Sequence, residues 1–123
     1  MITDCPPGLT FLLNGHLYIV IACTKDPPEE ILLVNLSSKR SDSDMTVIFQ
    51  PGDHDFITRE SIVRYSDARI FPKEKLIQRI ISRDFELRRP FDATKLTRIQ
   101  TGLLASPFTP KDKKEFYLMA TKK

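Results

Sequence analysis

The feature that most constrains the fold is a change in hydrophobic pattern at Pro72. Before this proline, short apolar runs rich in β-branched residues alternate with polar loops, which is typical of an antiparallel sheet. After it, apolar residues recur at the three- and four-residue spacing of amphipathic helices. We therefore predict an α+β fold in which a small antiparallel β-barrel, residues 8–70, is followed by a helical part, residues 71–120.

Five apolar runs predict the strands, and three amphipathic segments predict the helices. We expect strands at residues 8–13, 17–23, 31–36, 45–49 and 61–65, and helices at residues 73–82, 93–104 and 111–120. Asn14-Gly15 predicts a tight hairpin between the first two strands, because both residues tolerate positive φ. Asp92 is the predicted N-cap of the second helix. Residues 83–90 fit either a strand or a loop.

The composition is that of an ordinary globular protein. With 123 residues, of which 41% are apolar and 28% charged, the chain is expected to form a single domain, residues 1–123, around one core. The apolar runs are far shorter than the roughly 20 residues that a membrane span needs, so we predict no membrane association. Cys5 and Cys23 are too few for a disulfide scaffold, and the opening residues lack the pattern of an export signal. We therefore expect a reduced, cytoplasmic location.

Charge is divided unevenly along the chain. Residues 1–60 hold 4 Lys/Arg against 9 Asp/Glu, whereas residues 61–123 hold 15 against 7. A basic half favours an anionic partner, either nucleic acid or an acidic protein segment. The alternative is that these basic side chains only form the solvated faces of helices. Because no nucleotide, hydrolase or zinc-protease motif occurs and no ligand spacing suits a metal, we predict neither cofactor nor metal.

A polar turn, Asp53-His54-Asp55, follows the fourth predicted strand and holds one of the two histidines. Flanking carboxylates favour a protonated imidazole, which suits a residue that exchanges protons. One hypothesis therefore makes His54 the main proton-transfer residue, with Asp53 or Asp55 tuning it. The alternative is a solvated hairpin turn without chemistry.

Residues 8–104 resemble the PemK/MazF family of mRNA interferase toxins in the order of their elements and in the residues at the strand ends. Gly15-His16 precedes the apolar run Leu17 to Ile21, where that family places a basic residue before its second strand. The third predicted strand ends in Ser37-Ser38, as the family's third strand ends in a hydroxyl residue. The stretch Ser61 to Ile70 is similar to the family's Ser-Val-apolar pattern and the Arg-apolar pair that follows it.

The resemblance implies an SH3-like barrel, a symmetric homodimer and a toxin-type endoribonuclease that a cognate antitoxin protein inhibits. It also implies metal-independent cleavage of single-stranded RNA. His16 and Ser37 stand where the family usually carries Arg and Thr. The turn around His54 is not a hallmark of the family.

Cleavage of RNA without a metal needs a base, an acid and groups that stabilise the negative charge of the transition state. The predicted catalytic residues are His16, Ser37, Asp53 and His54. The predicted RNA-binding residues are Tyr18, Ser38, Lys39, Arg40 and Arg64.

Several of these residues also have a structural alternative, and Ser37-Ser38 can simply end a strand and begin a loop. His16 can be a hairpin residue, Arg64 can pair with Asp67, and Tyr18 and Tyr65 can belong to an amphipathic core. The second function class is accordingly a non-catalytic small-barrel module that binds a protein partner or nucleic acid.

Overall fold

The computed structural model describes residues 2–122 and has seven strands and three helices. In chain order the elements are β1 (Thr10–Leu13), β2 (His16–Cys23), β3 (Glu30–Ser38), β4 (Ile48–Phe49), β5 (Ser61–Val63), a 3-10 turn (Tyr65–Asp67), β6 (Arg69–Pro72), α1 (Lys73–Ile81), β7 (Glu86–Arg88), α2 (Ala93–Ala105) and α3 (Lys111–Ala120). All the strand pairs are antiparallel. The predicted α+β class with an antiparallel sheet is confirmed, but the strands do not all precede the helices, since β7 lies between α1 and α2.

The sheet is built around β3, the longest strand. One edge of β3 pairs with β2, and its other edge pairs with β6 along Glu30 to Leu33 and with β5 along Leu36 to Ser38. The strand order is β4-β5-β3-β2-β1-β7, with β6 beside β3. Between Ile2 and Lys122 no ladder joins β4 to β7, so the sheet is not closed into a barrel.

The two outer strands are too short to close the sheet by backbone pairing. β4 has two residues and β7 has three. Side chains connect the segments that follow them instead. The His54 ring contacts the Arg89 carbonyl, and the Phe91 ring lies 4.7 Å from the His54 ring and 5.4 Å from the Phe49 ring. Aromatic and polar contacts therefore hold the ends of the sheet together.

The turn between β1 and β2 has the predicted hairpin geometry. Asn14 and Gly15 have φ values of 52° and 80°, and Leu13 pairs directly with His16. A two-residue loop with both residues at positive φ matches the twist of the strands that it joins. This tight turn fixes His16 as the first residue of β2.

Both faces of the central strands are buried, because β2 and β3 are apolar at successive positions rather than at alternate ones. Leu17, Ile19 and Ile21 belong to a cluster that also includes Ile99 and Leu103 of α2. On the opposite face a second cluster includes Cys5, Phe11, Val20, Leu33, Leu76 and Ile80. The chain thus has two apolar clusters, one on each face of the sheet, where the sequence predicted one core.

The three helices follow the predicted segments within a residue or two. Asp92 caps α2, since its carboxylate accepts a hydrogen bond of 2.9 Å from the Lys95 backbone N–H. Tyr65 is buried, and its hydroxyl donates a 2.7 Å hydrogen bond to the Ile99 carbonyl of α2. Tyr65 is therefore a core residue, which is the structural alternative that the sequence left open. In the described part of the chain, no helix combines the length and apolar character needed to span a bilayer.

Several strand predictions need correction. The fourth strand has only two residues instead of residues 45–49, and the fifth ends at Val63 because a 3-10 turn begins at Tyr65. β6 was not predicted, and the ambiguous segment 83–90 contains β7, which pairs with β1. Both missed strands are short, and their pairing partners lie far away in the sequence, so local pattern gave little signal.

Candidate functional site

A two-lobed cleft lies where β2 begins and β3 ends. The register that pairs Tyr18 with Asn35, continued by two residues, brings His16 across from Ser37. His16, Ser37, Ser38 and Arg40 line both lobes, and we call these four residues the divide. The hairpin turn and the end of the central strand together determine where the divide lies.

The first lobe has a volume of about 390 Å³ and mixes positive and negative charge. Arg64 enters it from the segment after β5, and Asp42 and Asp44 enter it from the loop after β3. Phe108, from the loop between α2 and α3, lies at its side and is 56% exposed. A cation, acceptor groups and an aromatic ring therefore share one space.

The second lobe has a volume of about 580 Å³ and lies on the other side of the divide. Phe56, Thr58 and Arg59 line it, and all three come from the loop between β4 and β5. Arg59 is exposed, and the described residues offer it no ion pair. These three residues thus add one cation, one hydroxyl and one half-buried ring to the groups of the divide.

Arg64 is held by its neighbours. Its backbone N–H donates a 2.9 Å hydrogen bond to the Asn35 carbonyl, and its Nε lies 3.3 Å from Asp67 Oδ2. The ion pair that the sequence left as an alternative is therefore present, although the Arg64 side chain still lines the first lobe. Because both partners are well exposed, the pair contributes little to stability.

Asp44 attaches the loop after β3 to the end of α2. Its carboxylate accepts hydrogen bonds of 2.6 Å from the Ser106 hydroxyl, 2.9 Å from the Thr46 N–H and 2.6 Å from the Thr46 hydroxyl. Burial acts to raise the pKa of Asp44, but the bonds from Ser106 and Thr46 outweigh it and hold this pKa below its usual value. Asp44 is therefore an ionised anchor that gives the first lobe a defined wall.

Two predicted RNA-binding residues lie outside the cleft. Lys39 forms a 2.9 Å ion pair with Glu60, and neither lobe includes it. Tyr18 is half-buried on one face of the sheet, where it stacks on Phe11 with ring centroids 5.4 Å apart and lies beneath the Arg69 guanidinium. Both side chains already have partners, so the structure gives them no direct part in the cleft.

The predicted catalytic turn is also separate from the cleft. His54 is only 7% exposed, its Nδ1 accepts a 3.1 Å hydrogen bond from the Phe56 N–H, and its Nε2 contacts the Arg89 carbonyl. Asp53 caps its own turn by accepting a 2.7 Å hydrogen bond from the Gln50 N–H. Asp55 pairs with Arg89 at 3.3 Å.

These contacts do not fit the hypothesis that His54 is the main proton-transfer residue. A general base must reach the proton that it abstracts. Both ring nitrogens of His54 are occupied and the ring is buried, so it has neither a free nitrogen nor access to a bound substrate. His54 instead has a structural role, because it connects the segments that follow β4 and β7.

The residues of the cleft that were not singled out in the sequence include Arg59, Asp42, Asp44 and Phe108. Arg59 and Asp42 lie in polar loops where charge is ordinary. Phe108 lies between two prolines in a segment that follows the second helix, and only the packing of α2 against the sheet carries it to the cleft. No local pattern could have connected it with His16.

Comparison of the chain with protein-family models, with curated proteins and with solved structures gives no match. Over residues 2–122 no group of three or more His, Cys, Asp or Glu side chains is arranged to hold a metal ion. The chemistry of the cleft is therefore the basis for a functional interpretation.

Proposed function

We propose that the protein is a toxin-type endoribonuclease of the PemK/MazF kind that cleaves single-stranded RNA without a metal ion. The observation that carries this proposal is the convergence of His16, Ser37, Ser38, Arg40 and Arg64 on one cleft. The group contains an imidazole, two hydroxyl donors and two cations. These are the groups needed to move a proton and to stabilise a phosphorane-like transition state.

His16 is the proposed general base. It is exposed at the divide, so a ribose beside a bound phosphate can reach it. His16 takes the proton of the 2′-hydroxyl, the 2′-oxygen attacks the phosphorus, and the bond from phosphorus to the 5′-oxygen breaks. The leaving 5′-oxygen takes a proton from water. The products are a 2′,3′-cyclic phosphate and a 5′-hydroxyl.

The remaining groups of the divide, together with Arg64 of the first lobe, bind the phosphate. Ser37 and Ser38 donate hydrogen bonds to its non-bridging oxygens, while the Arg40 and Arg64 guanidiniums offset the charge that grows on them. Hydrogen-bond donors and cations fixed before the reaction stabilise the transition state more than mobile ones do. Here the tight hairpin and the end of β3 supply that fixed framework.

The proposal includes the finer features that the family resemblance implies. The proposed architecture is an SH3-like barrel that stays open between β4 and β7, and its support is that His54 and Phe91 connect the two ends of the sheet. The proposal also includes a symmetric homodimer, inhibition by a cognate antitoxin protein and a cytoplasmic location.

Substitution of His16 tests the mechanism. His16→Ala should lower the cleavage rate by about 100-fold or more, the usual effect of removing a general base. His16→Arg should be equally inactive, because a guanidinium keeps its charge and cannot accept the proton. The measurement is single-turnover cleavage of a labelled mixed-sequence RNA, with and without EDTA, and identification of the 2′,3′-cyclic phosphate end.

Lys25→Ala is the control variant, since this exposed lysine lies in the β2–β3 loop at the far end of β2. It should cleave RNA at the wild-type rate. If the His16→Arg variant is active, His16 serves only as a cation and does not transfer a proton. A wild-type protein that cleaves no RNA would overturn the proposal.

The second candidate function is a non-catalytic RNA-binding module. The observation that favours it is the burial of His54, which leaves one histidine at the cleft in the described residues. In that case the wild-type protein binds 2′-O-methyl RNA and leaves ordinary RNA intact, and His16→Ala changes affinity alone.

A further inference from the structure

The two lobes are lined by different charged and aromatic residues, so they suit different nucleosides of a bound RNA strand. Both lobes touch the divide, so a phosphate bound there has one nucleoside on each side. Volumes of about 390 and 580 Å³ fall within the range of roughly 300 to 1,000 Å³ typical of small-ligand sites. Each lobe is therefore large enough for one nucleoside.

Apart from Arg64, which faces the phosphate in the proposed mechanism, the first lobe is better suited to a base than to the phosphate backbone. The Asp42 and Asp44 carboxylates repel phosphate oxygens, whereas they accept hydrogen bonds from the N–H groups of a base edge. Asp44 already accepts three hydrogen bonds. Asp42 is exposed, and residues 2–122 provide no hydrogen bond to its carboxylate. Asp42 is thus the free acceptor of this lobe.

Phe108 completes the first lobe. Its ring is 56% exposed at the lobe, which is uncommon for a phenylalanine in a soluble chain and typical of a surface on which an RNA base stacks. Its neighbour Ser106 holds the segment in place, because the Ser106 hydroxyl donates to Asp44 and accepts from the Phe108 N–H at 3.1 Å. The ring and the acidic loop are therefore connected by one short chain of hydrogen bonds.

We propose that the first lobe reads a guanine next to the cleaved phosphate, with Phe108 stacking on the base and Asp42 accepting from its Watson–Crick edge. Guanine presents two adjacent N–H donors on that edge, at N1 and N2, and these match the two oxygens of one carboxylate. Cytosine and adenine each present a single donor group there, and uracil presents one ring N–H. The inference rests on the proposed RNA function and adds the specificity of the site.

The test uses 2′-O-methyl heptamers, which cannot be cleaved, so that base reading is measured separately from catalysis. One heptamer has a central guanine among uridines, and the other contains uridine only. By fluorescence anisotropy the wild-type protein should bind the guanine heptamer about tenfold more tightly. Asp42→Asn should remove most of this preference, because an amide has one acceptor oxygen instead of two.

Phe108→Ala should weaken binding of both heptamers by about tenfold, the usual scale for losing one stacked aromatic side chain. Two control variants keep the comparison matched. Leu118→Ala removes another large apolar side chain that is 56% exposed, and Asp26→Asn neutralises another exposed carboxylate. Neither residue lines the cleft, and both variants should bind as the wild-type protein does.

The outcomes separate this inference from the proposed function. Guanine preference that depends on Asp42, without cleavage of ordinary RNA, supports base reading and overturns the nuclease proposal. Cleavage without any base preference, unchanged in Asp42→Asn and Phe108→Ala, keeps the nuclease and overturns base reading. A protein that neither binds the heptamers nor cleaves RNA overturns both.

Discussion

At the scale of single residues, the two histidines have opposite environments. His16 is exposed in a cleft, whereas His54 is buried beside the Phe91 ring with both of its nitrogens occupied. Because Nδ1 accepts from the Phe56 N–H, the proton of the neutral ring lies on Nε2, which then donates to the Arg89 carbonyl. The Arg89 carbonyl also accepts a 2.7 Å hydrogen bond from the Thr10 hydroxyl. One histidine therefore holds together two loops that follow the outer strands.

His54→Ala should consequently destabilise the fold rather than disable the cleft. It leaves the Phe56 N–H without its partner and opens a cavity beside Phe91, so we expect a loss of about 2 to 4 kcal/mol in the free energy of unfolding. Urea denaturation measures the loss, and RNA cleavage by the folded protein at low temperature should match the wild type. Asp55→Ala, which removes an exposed ion pair of the same turn, is the control and should cost less than about 1 kcal/mol. A stable but inactive His54→Ala variant would return this histidine to catalysis.

At the scale of elements, the sequence was most informative where structure is local. Asn14-Gly15 predicts its hairpin, and Asp92 predicts the start of α2, because the turn and the cap depend on neighbouring residues alone. β6 and β7 depend on pairing with strands about 40 and 76 residues away, which no local pattern encodes. The same distinction applies to the residues of the cleft. His16 and Ser37 were predicted as site residues from the ends of their strands, whereas Phe108 reaches the cleft only through tertiary packing.

The contact between α2 and the 3-10 turn depends on Gly102. A Cβ at this position would collide with the Tyr65 hydroxyl and lie 2.5 Å from Val47 Cγ2. Gly102→Ala gains up to about 1 kcal/mol of helix propensity, but overpacking costs about 1 to 3 kcal/mol, so we expect a net loss of unfolding free energy.

A double-mutant cycle with Tyr65→Phe tests the cause of that loss, because removing the hydroxyl relieves the tightest contact of the new methyl group and leaves those with Tyr65 Cζ and Val47 Cγ2. Gly102→Ala should be less destabilising in the Tyr65→Phe background than in the wild type, as measured by thermal unfolding. Thr101→Ala, at an exposed position of the same helix, is the control. Additive effects in the cycle would attribute the cost to Val47 and the Tyr65 ring instead of the hydroxyl.

At the scale of the whole molecule, most of the charged residues of the cleft come from the acidic half of the chain, residues 1–60. The acidic half of the chain contributes Asp42 and Asp44 to the cleft, and it also contributes Arg40 and Arg59, two of its four basic residues. The basic half contributes only one charged residue to the two lobes, Arg64. The net excess of positive charge in residues 61–123 therefore lies largely outside the cleft, where the fold distributes it over the helices and β7.

This distribution predicts how RNA binding depends on salt. If Arg40, Arg59 and Arg64 make the phosphate contacts, the logarithm of the binding constant should fall with the logarithm of salt concentration with a slope of about −2, at about −0.7 for each phosphate of a single strand. Arg59→Gln should make the slope shallower by about 0.7 in a titration of the guanine heptamer by fluorescence anisotropy. Lys75→Gln, which removes an exposed lysine of α1, should leave the slope unchanged. A steeper slope that responds equally to both variants would mean that RNA associates with the general charge of the helical half and not with the cleft.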